Sequence, residues 1–99
     1  EIGDYLVNTK TYEVFKQEQR ITELSKREIE LLQLFQQHEG EVVSRDFILD
    51  QLWGTDSFPT TRTIDNYILS FRKLFEENAK EPKFFHSIRG VGYKFTNSH

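Results

Sequence analysis

The spacing of hydrophobic residues predicts short strands at the beginning of the chain. Residues 1–23 contain stretches rich in β-branched and aromatic side chains, separated by polar residues, which is a pattern typical of strands. The predicted strands are Tyr5–Val7, Thr11–Lys16 and Arg20–Thr22. We therefore expect two or three antiparallel strands before the first helix.

Two helices with recognisable ends follow these strands. Ser25 stands three residues before Glu28, so the two side chains can form a capping box at the start of the first helix. Apolar residues then recur at helical spacing until Gly40, which ends the helix. After a short extended segment at residues 41–43, Ser44 can cap a second helix that ends at Gly54. Its inward-facing residues are predicted to be Ile48, Leu49, Leu52 and Trp53.

The third helix has the most regular pattern in the chain, because its apolar residues fall within about a third of the helix circumference. These residues are Ile64, Ile68, Phe71 and Phe75, with Tyr67 and Leu74 beside them. The opposite side carries Arg62, Asn66, Leu69, Ser70 and Lys73. Residues 84–89 and 92–95 are strand-like and are joined through Arg89–Gly92 as a β-hairpin. The order of elements predicts an α+β winged helix-turn-helix domain over residues 1–99, with an N-terminal antiparallel sheet, three helices and the hairpin as its wing.

The distribution of charge suggests that one side of the domain faces an anion. The net charge of the 99 residues is -3, which by itself argues against a nucleic-acid partner. Residues 1–59 hold 6 basic and 12 acidic side chains, whereas residues 60–99 hold 7 basic and 4 acidic ones. The positive balance of the second part therefore coincides with the third helix and the hairpin.

Several functional classes are disfavoured by the residues that the sequence lacks. There is no cysteine, and the three histidines do not have the spacing of a metal-binding pair on a helix. No glycine-rich phosphate loop and no nucleophile elbow is present. No apolar run approaches the roughly 20 residues of a membrane span. We therefore expect neither an enzyme nor a bound metal or cofactor, and no membrane partner.

The polar side of the third helix has the dimensions and chemistry of a DNA-reading surface. From Arg62 to Lys73 a helix rises by roughly 16 Å, enough to lie along a major groove about 12 Å wide. Asn66 can pair with an adenine edge, and a leucine at position 69 can pack on a thymine methyl group. Arg89, at the tip of the hairpin, can enter a narrowed minor groove.

Three motifs resemble those of a known family. Arg62–Asp65, Phe71–Lys73 and Ile88–Tyr93 closely resemble the patterns R-T-V-D, L-R-K and T-V-R-G-V-G-Y of the C-terminal effector domain of OmpR/PhoB-type response regulators. The resemblance extends back through Ser44-Arg45 and Leu52-Trp53, and it covers nearly the whole chain in the correct order. The fold it implies is the winged helix predicted above.

The resemblance also implies roles for individual residues. It places base and backbone contacts of a recognition helix at Asn66, Leu69, Ser70 and Lys73. It places phosphate contacts at Arg62, Tyr67 and Arg72, and the minor-groove contact at Arg89. Thr63 and Ser87 complete the predicted DNA-binding set. Thr55–Thr60, and within it Thr55, Asp56, Ser57 and Phe58, matches the loop that meets RNA polymerase in related activators. Trp53, Ile64, Phe71 and Tyr93 match core positions, and Asp65 matches a structural acid.

Three positions depart from the family pattern. Leu69 and Ser70 stand where several relatives carry arginine or lysine, and Leu74 replaces a frequent lysine. Each lost phosphate contact removes part of the free energy of counterion release, so we expect a low affinity for each domain. The base preference cannot be taken over from any relative.

The implied biological role is that of a cytoplasmic transcription regulator of a two-component system. The resemblance implies an N-terminal receiver domain of about 120 residues, a partner sensor kinase, and binding of two copies to direct DNA repeats. The isolated domain is expected to be a monomer that dimerises on DNA. Two alternatives stay open: a one-component regulator with a different sensor, and a winged-helix module that binds proteins rather than DNA.

Overall fold

The computed structural model describes residues 2–3, 5–54, 61–78 and 80–97, and its elements follow the predicted order. Three strands come first: β1 (Tyr5–Asn8), β2 (Glu13–Lys16) and β3 (Gln19–Glu23). The middle of the chain forms α1 (Lys26–Gln37), β4 (Val42–Ser44), α2 (Arg45–Leu52) and α3 (Thr61–Phe75). The hairpin consists of β5 (Phe85–Ile88) and β6 (Gly92–Phe95). The fold is therefore the predicted α+β winged helix-turn-helix.

The N-terminal sheet is an antiparallel meander with the strand order β1-β2-β3. The predicted second strand began at Thr11, but β2 begins at Glu13. The backbone at Tyr12 has a φ of 65°, and its amide donates to the Asn8 carbonyl at 2.7 Å. The Asn8 side chain also accepts from the amides of Lys10 and Thr11. These bonds hold the connection in a turn, so the extended segment starts later than the side-chain pattern suggested.

Both predicted N-caps are present. The Glu28 amide donates to Ser25 Oγ at 3.2 Å, and the Ser25 amide donates to Glu28 Oε1 at 2.9 Å. This reciprocal pair is the capping box expected from the sequence, and it satisfies two backbone donors at the start of α1. Ser44 Oγ accepts from the Phe47 amide at 3.1 Å and starts α2 in the same way.

The C-terminal sheet contains one strand more than the predicted hairpin. Residues 41–43 were expected to form only a short extended segment between two helices, but β4 pairs with β6, giving the order β4-β6-β5. Val43 lies opposite Tyr93, and Ser44 lies opposite Gly92. The wing is thereby joined to the connection between α1 and α2.

One hydrophobic core connects the helices to both sheets. The predicted inward residues of α3 are all buried: Ile64, Ile68, Phe71 and Phe75. Tyr93 is also buried, at 5% exposure, as its predicted core position requires. Trp53 is only partly buried and packs against the edge of the core, where its ring lies near Arg27 and Tyr67. Leu49 and Leu52 are likewise only partly buried.

Candidate nucleic-acid interface

The outward face of α3 presents an uninterrupted row of exposed side chains. The row consists of Arg62, Asn66, Leu69, Ser70 and Lys73. These residues recur every three or four positions, so they lie on the side of the helix opposite its buried stripe. Leu69 is 55% exposed, so its apolar side chain is available to a partner. The predicted orientation of the helix is therefore confirmed, whereas the DNA contacts stay a prediction.

Tyr67 and Thr63 lie beside this row rather than in it, and both are half-buried. The ring centroid of Tyr67 is 6.0 Å from that of Trp53. The guanidinium carbon of Arg27, near the start of α1, also lies close to Trp53, at 4.8 Å from the indole centroid. Tyr67 thus faces the beginning of α1, and a phosphate contact by its side chain would lie at the margin of the surface.

Arg72 is engaged within the protein. Its Nε and Nη2 atoms donate to the Phe85 carbonyl at 3.1 and 3.0 Å, and Nη2 also donates to Ser87 Oγ at 2.8 Å. Two of the predicted DNA-binding residues, Arg72 and Ser87, are therefore bonded to each other. The bonds join the last part of α3 to the first strand of the wing.

Asp65 has the structural role that the sequence suggested. Its Oδ1 atom accepts from Arg45 Nε at 2.9 Å and from the hydroxyl of Tyr93. Partial burial by itself raises the pKa of Asp65, but the hydrogen bonds from Tyr93 and Arg45 outweigh it, so the pKa lies below its usual value. Burial and the bond to Asp65 raise the pKa of Tyr93. The negative charge in α3 is therefore neutralised by a cation of α2, close to the recognition surface.

The wing ends in a tight turn that projects Arg89. The Val91 amide donates to the Ile88 carbonyl at 3.0 Å, and Gly90 has a φ of 76°, which favours glycine. Arg89 is exposed, and its side chain makes no hydrogen bond or ion pair within the part of the chain that the structure describes. This guanidinium is the available cation at the tip of the wing.

One structural residue near the interface was missed by the sequence analysis. Glu76, directly after α3, is buried at 8% exposure, and its carboxylate accepts from the amides of Lys83, Phe84 and Phe85 at 2.8 to 3.0 Å. The carboxylate therefore fixes the start of the wing against the end of α3. An acid within a charged, polar segment carries no sequence signal for this role, since its partners are backbone amides.

The remaining predicted functional segment lies outside the described residues. Thr55, Asp56, Ser57 and Phe58, the predicted polymerase-contact residues, belong to the segment 55–60, which falls between the described ranges 5–54 and 61–78. In the described ranges, no three acidic or histidine side chains are grouped as a metal site would require. The helices found in those ranges are also too short or too polar to cross a membrane.

Comparison with known families identifies the domain type. The family described as "Transcriptional regulatory protein, C terminal" matches residues 17–95. The chain belongs to this family. Within it, the chain is a DNA-binding domain of the OmpR/PhoB response-regulator type, which confirms the resemblance seen in its motifs.

Individual relatives support this assignment. The chain is 38% identical over 93 residues to the alkaline phosphatase synthesis transcriptional regulatory protein PhoP of Bacillus subtilis, covering 94% of this chain and 38% of PhoP. The structure of DrrB, an OmpR/PhoB homologue from Thermotoga maritima, matches with a TM-score of 0.80 and 32% identity over 97% of this chain and 43% of DrrB. The Klebsiella pneumoniae RstA DNA-binding domain, solved in complex with the RstA box, matches with a TM-score of 0.78 and 26% identity, covering 99% and 96% of the two chains. The chain thus spans about two fifths of PhoP and DrrB.

Proposed function

We propose that this domain binds specific double-stranded DNA with α3 in the major groove and the wing in a minor groove, and thereby controls transcription in the cytoplasm. The observation that carries the proposal is the exposed row on α3 together with the free guanidinium of Arg89. The row holds two cations, Arg62 and Lys73, and no acid. The nearest acid of the helix, Asp65, is paired with Arg45. The surface is therefore suited to a polyanion.

Base recognition is assigned to the middle of the row. Asn66 is exposed one turn after Arg62, so its amide can form two hydrogen bonds with an adenine edge while the arginine contacts the backbone. Leu69, on the next turn, can contact a thymine methyl group. This combination favours a target with A·T pairs at its centre.

Selection of duplexes from a random pool, followed by titration, tests this assignment. We expect Asn66→Ala to lower discrimination between the selected site and a site with the preferred adenine replaced, by about 1–3 kcal/mol. Gln37→Ala, an exposed amide at the end of α1, is the matched control and should leave discrimination unchanged. An equal loss on all DNA sequences would instead make Asn66 a backbone contact.

Two copies of the domain are proposed to bind direct repeats. One helix and one wing offer few cations, so a single domain should bind weakly at physiological salt. Repeats one helical turn apart place two recognition helices on the same side of the duplex. Sedimentation should therefore show a monomer without DNA and two copies on a two-repeat site. Equal affinity at half-turn and full-turn spacings would contradict the tandem arrangement.

The longer relatives support a proposal for the biological context. We propose that the domain works together with a receiver domain and its sensor kinase, as expected for a two-component regulator, and that RNA polymerase contacts residues 55–58. A one-component regulator with another sensor is the alternative. The protein-binding alternative predicts affinity for a DNA pool that is absent or independent of salt, whereas DNA binding predicts a steep decrease with salt.

A further inference from the structure

We propose that Arg72 is a positioning residue, which sets the distance between the recognition helix and the wing rather than contacting DNA itself. The inference rests on the proposed DNA-binding function and departs from the phosphate contact that the family resemblance implies at this position. Two neighbouring cations of α3 differ in their surroundings. Lys73 is exposed in the outward row, whereas Arg72 is half-buried and bonded to the wing.

The strand that Arg72 holds is the less supported strand of the wing. In the order β4-β6-β5, β6 has a neighbour on each side, whereas β5 is an edge strand with one neighbour. The other strand, β6, is also tied to α3, because the Tyr93 hydroxyl donates to Asp65. At β5, Glu76 directly after α3 accepts from the Phe85 amide. Arg72 in α3 supplies a second tie that extends toward the wing tip, at the Phe85 carbonyl and Ser87 Oγ. Each strand of the wing is therefore tied to the recognition helix at a separate point.

The geometry of the guanidinium suits this task. A planar fork can donate to a carbonyl through two nitrogens and to a hydroxyl at the same time, which fixes direction as well as distance. A lysine ammonium has the same charge but lacks the fork. Ser87 lies two residues before Arg89, so the bonds end next to the turn that presents the wing cation. Without the Arg72 guanidinium, Arg89 should still project from the wing tip but be directed less accurately into the minor groove.

The test uses the 99-residue chain and duplexes with two selected repeats, flanked by either A·T-rich or G·C-rich sequence. The flank preference, defined as the ratio of the dissociation constants on the two duplexes, reports the minor-groove contact. We expect Arg89→Ala to weaken binding to the A·T-flanked duplex about tenfold, the equivalent of roughly 1.4 kcal/mol, and to bring the flank preference close to one. Arg72→Lys should reproduce most of this loss although it keeps the charge.

Combined variants separate positioning from direct contact. In the Arg89→Ala background, Arg72→Met should cause no further loss and no further change of the salt dependence, because the contact it positions is already gone. Lys73→Met is the matched control: it should lower the salt slope by about 0.9, as expected for one neutralised phosphate, in both backgrounds, and leave the flank preference unchanged. Thermal melting confirms that each variant is folded at the temperature of the titration. If an Arg72 variant is unfolded, Ser87→Ala replaces it in the test, because it removes one acceptor of the Arg72 guanidinium. A positioning role of Arg72 predicts that Ser87→Ala loses part of the flank preference.

Three results would overturn the proposal. Retention of parental affinity and flank preference by Arg72→Lys would show that charge alone is required at this position. A loss of one unit of salt slope on Arg72→Met in the Arg89→Ala background would identify a direct phosphate contact. An Arg89→Ala variant that binds like the parent would remove the wing from the interface, and with it both this inference and that part of the proposed function.

Discussion

The two sheets of this domain have three strands each but are built in different ways. The N-terminal sheet joins strands that are consecutive in the chain, in the order β1-β2-β3. The C-terminal sheet takes β4 from the connection between two helices and places it beside the last strand, about 50 residues later. Among the described residues, the side-chain hydrogen bonds between a sheet and the recognition helix belong to the C-terminal sheet, at Asp65 and Arg72.

This difference separates stability from recognition. Side chains of the N-terminal sheet reach the core through buried Val14 and through the edge contact of Tyr5 with Phe75, so the sheet covers the core. The C-terminal sheet covers the core as well, and in addition it fixes where the wing lies relative to α3. Substitutions in the first sheet should therefore change stability alone, whereas substitutions in the second should also change DNA binding.

The largest expected effect lies where β4 meets β6. A Cβ atom at Gly92 would lie 2.1 Å from the Val43 carbonyl oxygen, so Gly92→Ala must push the two strands apart. We expect a loss of unfolding free energy on the order of 3 kcal/mol, measured by urea denaturation, together with weaker DNA binding. The matched control is Gly90→Ala, since nothing lies within 4 Å of a Cβ there and only the positive φ opposes the change. That variant should lose about 1 kcal/mol.

A core substitution in the N-terminal sheet should lower the unfolding free energy by less and should leave DNA recognition unchanged. Val14 in β2 is completely buried, and Val14→Ala removes two methyl groups and leaves a small cavity. We expect a loss of about 2 kcal/mol in urea denaturation. The flank preference in DNA titrations should stay at the parental value, because Val14 is in a sheet that, among the described residues, makes no side-chain hydrogen bond to α3. A changed flank preference would show that the two sheets are not functionally separate.

The smallest expected effect is the pH dependence supplied by Asp65. Its lowered pKa means that the ionised form stabilises the fold above the unfolded pKa of about 3.9, and that this contribution is lost as the pH falls through the lower folded pKa. The effect is moderated by solvent, because the Asp65 side chain is 39% exposed. Urea midpoints between about pH 5 and pH 2 should decrease less steeply for Asp65→Asn than for the parent. Tyr93→Phe, which removes one of the bonds that lower the pKa, should fall between them. If the urea midpoints of the parent and of Asp65→Asn decreased in parallel with pH, this contribution of Asp65 to stability would be excluded.

The sequence predicted features formed by residues that are close together in the chain better than contacts between residues that are far apart in it. The capping box of Ser25 and Glu28 and the inward stripe of α3 involve residues three to eleven positions apart, and their side chains reveal them. The pairing of β4 was missed because three extended residues have too short a pattern to identify a partner 50 positions away. The bonds of Glu76, and those of Arg72 to the Phe85 carbonyl, were missed because they end on backbone groups, which every residue possesses. The exposed row of α3 was predicted correctly. The bond between Arg72 and Ser87, both predicted to bind DNA, is visible only in the three-dimensional structure.

The buried carboxylate of Glu76 has a consequence for the order of folding. Its three amide partners lie seven to nine residues away, whereas Val43 and Tyr93 are separated by 50. Closing the shorter loop costs about 1.6 kcal/mol less chain entropy than closing the longer one. We therefore expect the end of α3 and the start of the wing to form a nucleus before β4 docks. Glu76→Gln should then mainly slow refolding and Val43→Ala mainly accelerate unfolding in stopped-flow measurements; the reverse pattern would place the long-range pairing first. On this pathway the recognition helix and the wing acquire their relative arrangement before β4 joins the sheet.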